Sequence, residues 1–105
     1  MSSFSHRILD GTYLLGDDKD NIPVLDFRYY RPENGYVLEA GYEQGRLAVR
    51  DDNVAVWVTP TVDVYPQQIF RLIQKKDGQF VIQNVSSGFF ISFNGKDRFQ
   101  LTKIA

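Results

Sequence analysis

Two stretches of this chain follow one pattern at a fixed offset of 43 residues, and this near-repetition constrains the fold more than any other feature. Phe27-Arg28-Tyr29-Tyr30 followed by Asn34-Gly35 returns as Phe70-Arg71-Leu72-Ile73 followed by Asp77-Gly78. Without a gap, Gly45-Arg46-Leu47-Ala48-Val49 falls on Gly88-Phe89-Phe90-Ile91-Ser92, and Val56-Trp57-Val58-Thr59 on Phe99-Gln100-Leu101-Thr102. Identity is confined to Phe27/Phe70, Arg28/Arg71, Gly35/Gly78, Gly45/Gly88 and Thr59/Thr102, so the order of strands and turns carries the pattern. A repeat of this length made of four short strands restricts the chain to a few all-β architectures.

Short apolar or alternating runs bounded by Gly, Asn, Asp or Pro predict about ten strands. They are Phe4–Leu9, Thr12–Leu15, Val24–Tyr30, Tyr36–Ala40, Arg46–Arg50, Ala55–Thr59, Ile69–Ile73, Gln79–Asn84, Phe89–Phe93 and Phe99–Lys103. Asp10-Gly11, Asn34-Gly35 and Asp77-Gly78 supply residues that tolerate positive φ at hairpin connections. No long segment carries an apolar period of helical spacing, so no substantial helix is expected. Leu38, Leu47, Val49, Val56, Val58, Phe80, Ile82, Phe90, Phe99 and Leu101 read as core.

With 105 residues the chain is expected to be one domain, 1–105, around a single modest core. Its 12 basic and 13 acidic residues nearly cancel and form no basic patch, so a nucleic-acid partner is not expected. The absence of cysteine excludes disulfides, thiol catalysis and thiolate metal sites together. Met1-Ser2-Ser3-Phe4-Ser5-His6-Arg7 has no apolar core of signal-peptide length, and no run reaches the length of a membrane span. The expectation is a cytoplasmic protein, without a membrane partner, cofactor or metal site.

Gln67-Gln68-Ile69-Phe70-Arg71-Leu72, then Asp77-Gly78-Gln79-Phe80-Val81-Ile82-Gln83-Asn84, then Ser87-Gly88-Phe89-Phe90-Ile91-Ser92 resembles a ricin-B-type β-trefoil repeat. Such repeats run Gln-x-Trp, Gly-x-Tyr-x-Ile-x-Asn and Ser-Gly-x-x-Leu; here Phe70 replaces the tryptophan and Phe80 the tyrosine. The stretch 45–59, with Arg50-Asp51-Asp52-Asn53, resembles the corresponding part of small fungal trefoil proteins, which include lectins and cysteine-free peptidase inhibitors. The first lobe departs from the pattern, because Asp10-Gly11 precedes Asn34-Gly35 by 24 residues rather than 43. The resemblance therefore implies an all-β, β-trefoil-like barrel with a shortened first lobe. An open sandwich or another small barrel is the alternative.

The resemblance implies a non-catalytic binding protein, and one loop adds a physical argument for reversible peptidase inhibition. Pro60-Thr61-Val62-Asp63-Val64-Tyr65-Pro66 is bracketed by prolines, which fix φ and hold the preceding residues extended. A stiff loop loses little entropy on entering a protease cleft, with Val64 and Tyr65 as apolar anchors. A second candidate is the loop containing Asp17, Asp18, Lys19, Asp20 and Asn21, where Lys19 could enter a trypsin-like pocket. That loop also concentrates oxygen ligands, but its spacing fits no calcium loop and Lys19 sits amid the anions, so it reads as a solvated turn.

A carbohydrate-binding lectin is the alternative that the resemblance implies. Its third-lobe site would use Asn84, Phe89, Asn94 and Asp97, and its second-lobe site Tyr42, Asp51 and Asn53. A third reading is a self-associating interaction domain, so the expected state is monomer or homodimer, with a protease or glycan as partner. Catalysis is not expected. The single histidine, His6, has no marked nucleophile or supporting group nearby, and Glu33, Glu39 and Glu43 are spaced like strand ends and turns.

Overall fold

Alternating apolar side chains, interrupted by residues that accept a left-handed backbone, build eight antiparallel strands among the described residues. The computed structural model describes residues 11–15, 24–40 and 45–104. The strands are β1 (Gly11–Leu15), β2 (Val24–Tyr30), β3 (Gly35–Ala40), β4 (Gly45–Val49), β5 (Ala55–Val58), β6 (Phe70–Gln74), β7 (Phe80–Asn84) and β8 (Leu101–Lys103). Two short 3₁₀ turns, Arg31–Glu33 and Pro66–Gln68, are the only helical pieces among the described residues. None is long and apolar enough to cross a membrane. The strand expected at Phe4–Leu9 and the loop 17–21 lie outside the described residues, as do His6, Tyr42 and Glu43.

Pairing runs in the order β5-β4-β3-β2-β1-β8, and β6 branches from β3 carrying β7 on its far side. Strand β3 is thus shared. Its Tyr36 pairs with Phe70 of β6, while Glu39 and Ala40 pair with Arg46 and Gly45 of β4. Among the described residues the sheet is antiparallel and not closed. The other side of β7 is held by isolated bridges, Phe80 with Phe99 and Gln83 with Phe90, the first bonded in both directions at 2.8 Å.

The near-repeat survives as two hairpins with different registers. Phe27 faces Leu38 across β2 and β3, whereas Phe70 faces Asn84 across β6 and β7. The first hairpin turns through the 3₁₀ residues and Asn34 at φ 50°, the second through Lys75–Gln79 with Gly78 at φ 86°.

The stretch Phe89–Phe93 corrects the sequence expectation, because it forms isolated bridges rather than a strand. Positive φ at Gly88, Asn94 and Gly95 bends both its ends, and Phe93 and Lys96 close on each other in a tight turn. Ile91 takes the inward position, donating to the Ile82 carbonyl, and Phe90 is turned out to solvent, 53% exposed instead of in the core.

Phe27, Phe70, Phe99, Leu15, Leu25, Leu38, Leu47 and Ile82 are completely or almost completely buried and form one core with Tyr13, Tyr36 and Ile91. Val49 joins them, while Phe80, Leu101, Val56 and Val58 are half-buried at the margin. Aromatic pairs hold the sheet from inside, Tyr13 with Phe27 at 5.1 Å and Phe93 with Phe99 at 5.7 Å between ring centres.

Candidate functional site

The β4–β5 hairpin sets the site because its two faces are used differently. Residues directly opposite across an antiparallel pair share a face. Leu47 and Val49 turn to the core; Arg46, opposite Val58, and Ala48, opposite Val56, turn the other way. On that second face lies the segment between β5 and β6, which includes the proline-bracketed loop.

Arg46 is only 3% exposed and reaches three groups. Its Nε donates to Glu39 Oε2 at 3.2 Å, and its Nη1 donates to the Asp63 carbonyl and to Gln68 Oε1, both at 3.2 Å. Glu39 stands beside Arg46 in the β3–β4 register and also accepts from Arg28 Nη2 at 2.9 Å. A buried guanidinium is tolerated when its charge is matched and its donors are used; here Glu39 matches the charge, and Nε and Nη1 are both bonded.

The fork fastens the loop at two points. Thr61 Oγ1 donates to the same Asp63 carbonyl at 2.9 Å and closes the bend at Val62 and Asp63. Gln68 Oε1 also accepts from the Tyr65 amide at 3.4 Å, and the Gln68 amide donates to the Tyr65 carbonyl at 2.8 Å. Val62, just before the first fastening, is 99% exposed, and Tyr65, between the two, is 53% exposed. Thr61, Asp63 and Pro66 are exposed, whereas Pro60 and Val64 are half-buried. The apex is therefore Val62, and the extended backbone expected along the loop is found at Tyr65, with φ −105° and ψ 155°.

Tyr65, Gln67 and Gln68 form one wall of a surface groove of about 690 Å³, and Val56, Val58 and Arg50 of the hairpin line the other side. Arg50 and Asp52 pair at the hairpin tip, at 2.8 and 3.1 Å. The hydrogen bond from Arg50 lowers the Asp52 carboxyl below its ordinary value.

The residues expected for sugar binding are not alike. Asn84 is fully buried; its Nδ2 donates to the Gln67 and Ile69 carbonyls, and its Oδ1 accepts from the amide and hydroxyl of Ser87. These bonds tie the β7 turn to the segment entering β6 and leave its amide inside the protein. Phe89 is 54% exposed, and Asn94, Asp97, Asp51 and Asn53 are exposed. Among the described residues no three of His, Cys, Asp and Glu come together as a metal site.

Arg46 and Gln68 were not singled out in the sequence as functional candidates. The available signal was one charge in an otherwise apolar run, Gly45-Arg46-Leu47-Ala48-Val49, which has to be matched wherever both faces of the strand are covered. Fold and site together define an all-β protein that presents a loop clamped from beneath. No protein-family model, no curated protein and no solved structure matches the chain.

Proposed function

We propose that the protein is a non-catalytic binding protein that inhibits a peptidase reversibly, through the loop Pro60–Pro66. The observation that carries this reading is a fully exposed Val62 on a loop whose Asp63 carbonyl is gripped by a buried arginine. Binding a cleft costs conformational entropy, and a loop fastened before the encounter loses less of it. Val62 and Tyr65 supply the apolar contact, and Tyr65 itself has the extended backbone that proteases bind.

The test is titration of the purified protein against a panel of serine and cysteine peptidases. The expected result is stoichiometric inhibition of at least one, lost in Tyr65→Ala or Val62→Gly while the unfolding midpoint stays unchanged. Equal inhibition by both variants would remove the loop from the mechanism.

The lectin reading draws on a different observation, the exposed Phe89 and Phe90. Those rings could lie under a sugar's C–H face, with Asn94 and Asp97 as polar partners. Retention on a glycan column, eluted by free sugar and lost in Phe89→Ala, would favour it over inhibition.

A further inference from the structure

The free edge of β5 carries an inference independent of the loop. The amide of Arg50 donates to the carbonyl of Val54 at 2.9 Å, which fixes the hydrogen-bonding phase of the β4–β5 hairpin. Residues 50 and 54 are a bonded pair, so the bonded pairs alternate from there along the ladder. Ala48 with Val56 and Arg46 with Val58 are then bonded, while Val49 with Ala55 and Leu47 with Trp57 are not. The N–H and C=O groups of Ala55 and Trp57 consequently point away from β4, where no described strand pairs with them.

Proteins protect such edges with lysines, prolines, bulges or short, charged strands. Here the chain from Asn53 to Val62 is uncharged, and its first proline is Pro60. Trp57 is 38% exposed and rests its Cβ and ring on Gly45, where an added Cβ would come to 3.0 Å. Thr59 precedes Pro60, and that position favours extended backbone, so the outward alternation continues through it.

We propose that this edge pairs with the same edge of a second copy of the chain, antiparallel and centred on Trp57. A two-fold axis there sets Trp57 opposite Trp57 of the second copy and Ala55 opposite Thr59 of the second copy. Every residue in those pairs is one whose backbone groups face outward, so the edge is complementary to itself, as an isologous interface requires. About six backbone hydrogen bonds form. The neutral stretch brings no like charges together, and the two indoles meet on the face that continues the core.

The experiment is sedimentation and light scattering of the purified chain across micromolar to millimolar concentration, with tryptophan emission read on the same samples. Trp57 is the only tryptophan, so its emission reports the contact directly. The expected result is a rise to twice the chain mass together with a blue shift of emission. Ala55→Pro removes an outward N–H without touching the β4 ladder, a position where an edge strand tolerates proline. It should weaken pairing at least about tenfold, with unchanged circular dichroism. Trp57→Lys, which sets two ammonium groups against each other, should do the same. A monomer throughout the range, or a dimer indifferent to Ala55→Pro, overturns the proposal. So does a monomer whose emission shifts only when an extended valine-threonine peptide is added, which assigns the edge to a foreign strand.

Discussion

Replacing Arg46 by methionine tests the clamp most directly. Methionine keeps much of the volume, so the effect isolates the charge and its hydrogen bonds rather than a cavity. Three bonds disappear, to Glu39, to the Asp63 carbonyl and to Gln68. Removing one partner of a buried ion pair costs about 3–5 kcal/mol. The lower end applies because Glu39 keeps Arg28 and its side chain is 18% exposed to water. The expected loss is about 3 kcal/mol, which at a slope of roughly 1.5 kcal/mol/M moves a urea midpoint by about 2 M. Freed at Asp63, the loop should also be cut between residues 61 and 65 by a protease that leaves the parent chain intact. Arg46→Lys should fall between the two, since an ammonium cannot reproduce the fork. A loss under about 1 kcal/mol, the range of a surface pair, with unchanged cleavage would refute the reasoning.

Other outcomes follow from the same packing. Asn84→Ala removes the side-chain donor from the Gln67 carbonyl and the acceptor from the Ser87 turn, while the Ile69 carbonyl keeps the Val85 amide, and should cost about 1–3 kcal/mol in the same urea assay. Gly35→Ala drives a Cβ to 2.5 Å from Ile69 Cγ2 and 3.1 Å from the Phe70 carbonyl, where β3 meets β6. A loss of about 1–3 kcal/mol is expected there, and a neutral effect would mean that the junction is looser than described. Asp52 titrates below its ordinary value because of its hydrogen bond from Arg50. The contribution of that pair is present above the ordinary carboxylate range and lost as pH falls through the lowered value. Both side chains are exposed, so Asp52→Asn should barely move the midpoint at neutral pH, while carboxyl NMR of the parent should show the depressed titration.

Strand positions were legible in the sequence because period-two alternation and turn residues mark them locally. Val24–Tyr30 matches β2 end to end, and most of the others differ by a residue at their ends. Phe89–Phe93 misled because its apolar content suggests a strand while its flanks at Gly88, Asn94 and Gly95 bend away. The branch at β3 and the unequal hairpin registers depend on which strands meet in space, and no local pattern encodes that. The loop was legible from its prolines, but its anchor was not. Arg46 lies 17 residues before the carbonyl it holds, and only the fold brings them together.

The shared strand β3 also bears on how the chain assembles. Its hairpin with β2 closes over a few residues, as do the β4–β5 and β6–β7 hairpins, so all three can form within microseconds. The Tyr36–Phe70 pairing closes a much longer loop, and β1 with β8 joins nearly the two ends of the described chain. Loop-closure entropy makes those distant pairings the slow ones. The two halves of the near-repeat are therefore not separate folding units. Cutting the chain between β5 and β6 should yield fragments that regain structure only when mixed, each supplying the strand the other lacks.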